Sequence, residues 1–405
     1  MKRYIVAALT LTPALFLAAQ AQPPQRDIPT ARDLTPKMPA PVAPFEWAYP
    51  VAPPNLPRPD MTALHTAEGA DPSIKLTMRQ IGDSFGPPDW YPKEHPALPP
   101  IVAHGEKPHV PACILCHLPN GNGHPESASI SGLTAKYIVE QMHAFRDGDR
   151  QNIRAPAMIE MADAISEKDL REAAQYFAHI PRSQQQWIRV VETNRAPASH
   201  VGAGGARFFD KGAATVPVAP DMIYEVAESE QVELRNDHVG FVDYVPAGSL
   251  AKGRTVAMGN RGQFRTCASC HGDDYRGHDD APRIGGRSAY YLIRQLADMK
   301  AGNRKGAALG KMKDIVGKLS DADILNVAAY MASQKPWQAP RSISHKEKGR
   351  SRGPAFCFIW SWGPCFCQDI REGWLGGVVL ACNPFKFLSP PRRIAGKEHE
   401  GRKFP

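Results

Sequence analysis

The sequence contains the same five-residue pattern twice, as CILCH at residues 113–117 and as CASCH at residues 267–271. In each copy two cysteines are separated by two residues and are followed directly by a histidine. Three kinds of site use such a pattern: zinc-binding knuckles, thioredoxin-like redox pairs and covalent attachment sites for c-type haem. Because each of these sites needs its own surrounding fold, the two motifs constrain the chain more than any other feature.

The two motifs lie inside a longer internal repeat that has an offset of 154 residues and no gap. The identical pairs at this offset include Gly105 and Gly259, Gly123 and Gly277, Tyr137 and Tyr291, Gln141 and Gln295, Gly148 and Gly302, Arg150 and Arg304, and Tyr176 and Tyr330. A unit of roughly 80 residues that occurs only twice indicates a duplicated domain and not a solenoid, which needs more copies.

Each repeat has the hydrophobic pattern of helices. Segment 166–180 begins with a serine followed three residues later by an aspartate, and its apolar residues recur at i, i+3, i+4 and i+7. Segment 320–334 repeats this design, and earlier helices are predicted over 134–146 and 288–300. Since neither repeat contains a convincing strand pattern, the predicted fold is all-α, with two tandem domains.

The segments outside the repeats differ from them in composition. The predicted organisation is a signal peptide over 1–21, a proline-rich lead-in over 22–100, a first domain over 101–182, an interdomain connection over 183–246, a second domain over 247–336, and a basic, unstructured tail over 337–405. Twelve prolines between residues 22 and 60 predict an extended tether. The rest of the lead-in is either an ordered cover of the first domain or a disordered linker.

Two flanking segments carry further local signals. Weak alternation of apolar residues near 223–228 and 241–245 predicts two short strands in the interdomain connection. The tail contains four cysteines but neither a helical nor a strand period, so an accidental or unstructured extension is favoured over a metal site or a disulfide-linked lobe. Its four cysteines are Cys357, Cys365, Cys367 and Cys382.

The N-terminus predicts export. Lys2 and Arg3 precede an apolar run, and Ala19 and Ala21 occupy the two small-residue positions that a signal peptidase recognises. Cleavage after Ala21 would release a periplasmic protein, and no later segment is apolar enough to span a membrane. The formal net charge is +8, but the tail alone carries 12 basic and five acidic residues. The body is therefore near neutral, and binding of nucleic acid is not indicated.

Haem attachment explains the two motifs better than the other sites do. A zinc site needs four ligands, and each motif supplies two, although His124 and His278 offer a third. A thioredoxin-like pair needs a preceding strand, which is not visible. In haem attachment both thiols bind vinyl groups of one porphyrin, and the histidine binds the iron. The residues that would hold two covalently bound c-type haems are Cys113, Cys116 and His117 in the first motif, and Cys267, Cys270 and His271 in the second.

Residues 101–182 and 247–336 each resemble a class I cytochrome c domain, and the tandem resembles the two-domain di-haem cytochromes of the c-four type. In that family the second axial ligand is a methionine in the loop before the C-terminal helix. Met158 and Met312 each lie 45 residues after the first cysteine of their motif. The resemblance therefore implies that these two methionines bind the iron.

Three other side chains are rival ligands in the first domain. Met161 is close to the expected position, but its counterpart in the second copy is Ile315. His143 corresponds to Ala297, and His124 lies so near the attachment motif that it would not reach the opposite face of the haem. The repeat therefore favours the methionine pair.

The resemblance implies an electron-transfer protein with redox protein partners, namely an electron donor and a terminal oxidase or reductase, and with no catalytic residues. Two other functions stay open. One is the cytochrome subunit of a membrane-associated dehydrogenase, which a partner complex would bring to the membrane. The other is a di-haem peroxidase, in which one iron must have a vacant or labile position. A methionine at the ligand position in both copies favours the carrier.

Overall fold

The structure is a computed structural model of the 405-residue chain. It describes residues 28–335, except for 50, 57, 58, 125, 181–186, 203, 204, 279, 280, 307 and 308. The predicted signal peptide, residue 336 at the end of the second repeat, and the tail with its four cysteines lie outside the described residues. In the part that is described, no helix is long and apolar enough to cross a bilayer.

The helices follow the internal repeat, with five in each domain. The first domain contains α3 (Pro100–His104), α4 (Ile114–His117), α5 (Ala135–Arg146), α6 (Pro156–Ala164) and α7 (Glu167–His179). The second contains α8 (Ser249–Ala257), α9 (Ala268–His271), α10 (Ala289–Ala301), α11 (Gly310–Val316) and α12 (Asp321–Ala332). Two short helices, α1 (Ala31–Leu34) and α2 (Met78–Ile81), precede them, and 3₁₀ turns span Thr35–Lys37, Glu46–Ala48, Glu230–Leu234 and Asn260–Gly262.

The four long helices begin where the sequence predicts. Thr134 and Ser288 are the N-caps of α5 and α10, and each side chain accepts a hydrogen bond from the backbone N–H three residues later. Ser166 and Ser320 cap α7 and α12 in the same way. A cap of this kind satisfies one of the free N–H groups of the first turn, which is why the helix starts there.

The prediction of an all-α fold is wrong. Of the described residues 38% are helical, and 12% lie in strands or bridges. The strands are β1 (Leu64–His65), β2 (Leu76–Thr77), β3 (Ile188–Glu192), β4 (Arg195–Pro197), β5 (Ser199–Val201), β6 (Arg207–Phe209), β7 (Thr215–Pro217), β8 (Tyr224–Ala227) and β9 (Phe241–Val245). Seven of the nine lie in the interdomain connection, where the sequence predicted only two.

The connection contains a mixed three-stranded sheet in the order β3-β9-β8, in which β9 is parallel to β3 and antiparallel to β8. Three two-stranded antiparallel ribbons join β1 to β2, β4 to β7, and β5 to β6. Phe241 and Val245 of β9 belong to the same buried core as Ile293 and Ile324 of the second domain. Because the central strand is buried on both faces, its sequence alternates little, and the sequence signal for the sheet is correspondingly weak.

The lead-in is part of the fold. Ala48 and Tyr49 are buried against the second domain, where the Tyr49 hydroxyl donates to Asp298 Oδ1 at 3.0 Å and Arg294 donates to the Ala48 carbonyl at 2.7 Å. The prediction of an extended tether is therefore wrong for this stretch, because two aromatic side chains, Phe45 and Tyr49, anchor it in the core.

The second half of the lead-in has its own small core. Ile81, Trp90 and Tyr91 pack with Leu234 of the interdomain connection, and Trp90 Nε1 donates to the Leu234 carbonyl at 2.7 Å. This segment therefore makes ordered contacts with the interdomain connection.

Candidate haem-binding sites

Each CxxCH motif forms a single helical turn. Helices α4 and α9 begin directly after the first cysteine, and the histidine N–H closes the turn on that cysteine's carbonyl at 2.9 Å in both domains. Residues three positions apart lie on the same side of a helical turn. The turn therefore places Cys113 beside Cys116, and Cys267 beside Cys270, as attachment to one porphyrin edge requires.

The two motif histidines are oriented in the same way. His117 Nδ1 lies 2.8 Å from the Ala128 carbonyl oxygen, and His271 Nδ1 lies 2.7 Å from the Pro282 carbonyl oxygen. Since a carbonyl can only accept, Nδ1 must carry the proton, and Nε2 is left with the lone pair that a metal needs. Burial lowers the pKa of both imidazoles, which keeps them neutral.

Two glycines form the loop that supplies these carbonyls. Gly123 N–H donates to the His117 carbonyl at 2.9 Å, and Gly277 N–H donates to the His271 carbonyl at 2.8 Å. Both glycines have positive φ, of 68° and 75°. A Cβ at either position would lie within 2.7 Å of a backbone oxygen, so only glycine fits here.

The first cysteines of the motifs are not activated thiols. Burial raises the pKa of the Cys113 thiol to about 12 and that of the Cys267 thiol to about 11. A thioredoxin-like redox cysteine has a lowered pKa, because the thiolate is the nucleophile. The thioredoxin-like interpretation is therefore disfavoured. For zinc, no group of three His, Cys, Asp or Glu side chains that could hold a metal ion occurs among the described residues.

Met158 and Met312 occupy equivalent helices. Met158 lies on α6 and Met312 on α11, so each is on the short helix that precedes the last helix of its domain. The resemblance implied a loop at this position. Both side chains are half-buried. Met158 packs against the same core as Cys113, whereas the rival Met161 is buried within that core.

The rival histidines have other surroundings. His143 lies near the surface with Nε2 2.7 Å from Glu167 Oε1. His124 is buried, with Nδ1 3.3 Å from Glu126 Oε1, and its Nε2 has no hydrogen-bond partner in the described structure.

Buried arginines were not predicted from the sequence. Arg154 has two buried nitrogens, Nε and one terminal nitrogen, that lack a hydrogen-bond partner in the described part of the chain. Burial and the nearby Arg294 lower the pKa of this guanidinium. The charge of Glu126 partly offsets this effect, but the two nitrogens still need an acceptor, and a propionate carboxylate of a haem fits that need. Because Arg154 corresponds to Ala308 in the second copy, the repeat gave no signal for it.

A pair of repeat-related arginines lies between the two domains. Arg150 donates to Gln141 at 3.1 Å and to Gln295 at 3.0 Å, while Arg304 donates to Gln295 and to Gln141, each at 2.9 Å. Backbone bonds repeat the symmetry, since the N–H of residue 151 donates to the carbonyl of residue 303, and that of residue 305 to the carbonyl of residue 149, both at 2.8 Å. The contact is therefore pseudo-symmetric, with the same patch contributed by both domains.

The electrostatics of this contact are unusual because its two guanidiniums are close together. Burial and the charge of Arg304 lower the pKa of Arg150. Although burial raises the pKa of the neighbouring Tyr291, the guanidiniums of Arg287, Arg150 and Arg304 outweigh burial and lower it to about 8. The only sequence signal for this cluster was the recurrence of its residues at the 154-residue offset.

Comparison with known proteins gives consistent results. The family model for cytochrome c matches residues 250–335. Cytochrome c-554(548) of Halomonas halodenitrificans is 36% identical over 80 residues, which cover 20% of this chain and 96% of that protein. Cytochrome c4 of Azotobacter vinelandii is 38% identical over 96 residues, which cover 22% of this chain and 45% of that protein.

Longer matches have lower identity. The thiosulfate dehydrogenase electron acceptor of Thiomonas intermedia is 27% identical over 242 residues, which cover 59% of this chain and 85% of that protein. Among solved structures, cytochrome c4 of Acidithiobacillus ferrooxidans aligns with a TM-score of 0.36 and 21% identity, and the alignment covers 55% of this chain and 98% of that one.

The family model and these relatives support covalently bound haem c and electron transfer for this chain, and its two equivalent CxxCH motifs agree with them. The protein is thus an electron-transfer cytochrome. The chain belongs to the cytochrome c family, and its tandem of two domains is similar to cytochrome c4.

Proposed function

We propose that this protein is a periplasmic electron carrier that holds one haem in each domain, through Cys113 and Cys116 in the first and Cys267 and Cys270 in the second. The observation that carries this proposal is the equivalence of the two sites. Each has the same helical turn, the same buried histidine with Nδ1 bonded to a carbonyl, and the same glycine loop. Nothing in the geometry favours one motif over the other as an attachment site.

In this proposal the iron has six ligands in each domain. His117 and His271 bind on one face through Nε2, and Met158 and Met312 bind on the other. The half-buried methionines on equivalent helices support the pairing. Bound haem supplies one-electron exchange between the ferrous and ferric states, and a soft thioether favours the ferrous state.

The polypeptide contributes orientation and charge. The carbonyl bond to Nδ1 keeps each histidine in the tautomer that can bind iron. Arg154 would pair with a haem propionate in the first domain, where its unpartnered nitrogens need an anion. An iron with two axial protein ligands besides the four porphyrin nitrogens would offer no open position to a substrate, so the carrier is favoured over a peroxidase.

The partners are proposed by class. The Thiomonas relative is an electron acceptor of thiosulfate dehydrogenase, so we propose a periplasmic dehydrogenase as the electron donor and a terminal oxidase or reductase as the acceptor. The export signal predicted over residues 1–21 supports the periplasmic location. A permanent cytochrome subunit of a dehydrogenase complex is the second candidate, and the same relative supports it.

Haem stoichiometry tests the two-haem proposal. Pyridine haemochrome assays should give two haems per wild-type chain, and Cys113→Ala or Cys267→Ala should each reduce the amount to about one covalent haem. The wild-type ferric protein should also show the near-infrared band of methionine-ligated haem. A wild-type protein with one high-spin haem that turns over hydrogen peroxide would contradict the carrier and support the peroxidase.

A further inference from the structure

The segment before the second attachment motif forms an exposed basic surface. It consists of Arg254, Met258, Arg261, Arg265 and Lys318, and we refer to it as the second-domain basic surface. All four cations are exposed, and Met258 is 59% exposed, one of the few large apolar side chains with this much accessible area in the described structure. The Met258 N–H donates to the Arg254 carbonyl at 3.0 Å, so these two side chains are one helical turn apart.

Backbone contacts hold this surface against the attachment site. The Cys267 N–H donates to the Ala257 carbonyl at 2.9 Å, which places Met258 beside the first cysteine of the motif. Lys318 Nζ donates at 3.3 Å to the carbonyl of Gln263, a residue that lies in the sequence between the two exposed arginines. The surface therefore lies beside the point at which the second haem would be attached.

The charge of this surface is uncompensated. Residues 247–272 contain four basic and no acidic residues, whereas the equivalent residues 93–118 contain two of each. In the part of the chain that the structure describes, none of the four cations of the surface forms an ion pair. The first acids after the motif are Asp273 and Asp274, and the latter pairs with Arg276.

In the first domain the equivalent surface is occupied by the chain itself. His104 and Lys107 correspond to Met258 and Arg261. His104 Nδ1 donates to the Phe85 carbonyl at 3.3 Å, and Lys107 Nζ lies 5.3 Å from the centre of the Phe85 ring. The neighbouring Ser84 carbonyl accepts a hydrogen bond at 2.8 Å from Ala112, directly before the first cysteine.

The two domains differ in whether this surface is covered. The same position in the fold binds a polypeptide segment in one domain, through an aromatic ring and backbone carbonyls, and is uncovered in the other. No described segment covers the second copy, which combines one exposed apolar side chain, Met258, with four exposed cations. That combination matches the anatomy of a protein–protein contact, with an apolar core and a charged rim that sets partner choice and association rate.

We propose that the second-domain basic surface is the docking site of an acidic redox protein, and that the first domain lacks such a site because Ser84 and Phe85 occupy it. Electrons would then be exchanged with this partner through the second haem. The proposal rests on the proposed function, since it requires a haem at the second motif. Beyond that function, the partner would bind the second domain and would carry a negatively charged surface.

Stopped-flow reduction by flavodoxin hydroquinone, an acidic protein donor, tests the proposal on the full chain. The variant Arg261→Glu/Arg265→Glu should lower the second-order rate constant about tenfold at low ionic strength, and the difference should shrink towards about 0.15 M salt. Reduction by free dihydroriboflavin, a small donor without a protein surface, should stay within about twofold of wild type, because it needs no charged docking surface.

The matched control is Lys75→Glu/Lys168→Glu, which changes the net charge equally at exposed positions away from this surface. It should keep the flavodoxin rate within about twofold. Equal slowing of both variants, or no slowing of either, overturns the proposal. A wild-type dimer in sedimentation velocity that Arg261→Glu/Arg265→Glu converts to monomer also overturns it, because the surface would then bind a second copy. Haem counts on each protein separate these outcomes, since a missing second haem contradicts the proposed function and not the docking surface.

Discussion

At the scale of single residues, the two attachment sites share the hydrogen bond of the motif histidine and the glycine loop, but they differ in the charged side chains around them. His117 and His271 have the same carbonyl partner position, and Gly123 and Gly277 hold the same loop. Arg154 has no counterpart in the second domain, where residue 308 is Ala, but the second domain has buried guanidiniums of its own at Arg283 and Arg287. The positive charges around the two sites therefore come from different positions of the repeat.

The methionines can be tested by substitution. Met158→His and Met312→His should each lower the reduction potential of their own haem on the order of 0.1 V, because a second imidazole stabilises ferric iron better than a thioether does. Each haem should stay low-spin. Met161→Leu should change little, since Met161 is a core residue whose repeat counterpart is Ile315. Spectroelectrochemical titration measures all three, and a high-spin haem in Met161→Leu would show that the ligand in the first domain was misassigned.

At the scale of elements, the lead-in and the interdomain connection meet at the first attachment motif. Arg235 Nε donates to the Ile81 carbonyl at 3.0 Å, and a second nitrogen of this guanidinium donates to the carbonyl of Leu115, inside the CILCH motif. Asn120 donates to the Asp237 carbonyl at 2.8 Å. One half-buried guanidinium therefore joins three segments that are far apart in the sequence.

Removing this guanidinium should loosen the lead-in. Arg235→Met keeps the aliphatic stem but leaves two carbonyls without a donor, which should lower the free energy of unfolding by about 2 kcal/mol. Hydrogen exchange should show faster exchange in residues 81–91. Arg189→Met, which breaks an exposed pair with Glu228, should cost no more than about 0.5 kcal/mol. Equal losses in the two variants would mean that the Arg235 contacts do not hold the lead-in.

At the scale of the whole molecule, the two domains meet through a pseudo-symmetric patch whose centre is polar. Gln141 and Gln295 each accept hydrogen bonds from both Arg150 and Arg304. Two buried cations repel each other, and the two amide oxygens partly offset this repulsion.

Removing an amide acceptor should therefore lower the free energy of unfolding more than removing one of the two cations does. Gln295→Leu leaves two buried guanidiniums short of an acceptor and should lower the free energy of unfolding by about 2 to 3 kcal/mol. Arg150→Met removes one cation and relieves the repulsion between the two guanidiniums. It should therefore lower the free energy of unfolding by less than Gln295→Leu does. Urea denaturation followed by far-ultraviolet circular dichroism measures both, with Gln175→Leu on the exposed face of α7 as the control. A larger loss in Arg150→Met than in Gln295→Leu would contradict this account of the contact.

The sequence by itself determined the chemistry and the repeated helices. A CxxCH motif is local, because its two thiols and its imidazole lie on one helical turn, and a serine or threonine cap with a helical apolar period is local as well. The family, the haem class and the positions of α5, α7, α10 and α12 therefore follow from short segments. The 154-residue offset also identified Gln141, Arg150 and their counterparts, although not what they do.

Only the tertiary structure decided the rest, because it depends on contacts between segments that are distant in the chain. Weak alternation predicted β8 and β9 but not β3, and the parallel pairing of β3 with β9 joins segments about 50 residues apart, so the mixed sheet was not predictable from the period alone. The proline-rich lead-in has the composition of a tether, yet Tyr49 and Trp90 anchor it in two separate cores. Its Phe85 covers in the first domain the surface that the second domain leaves open, and this asymmetry exists only once the chain is folded.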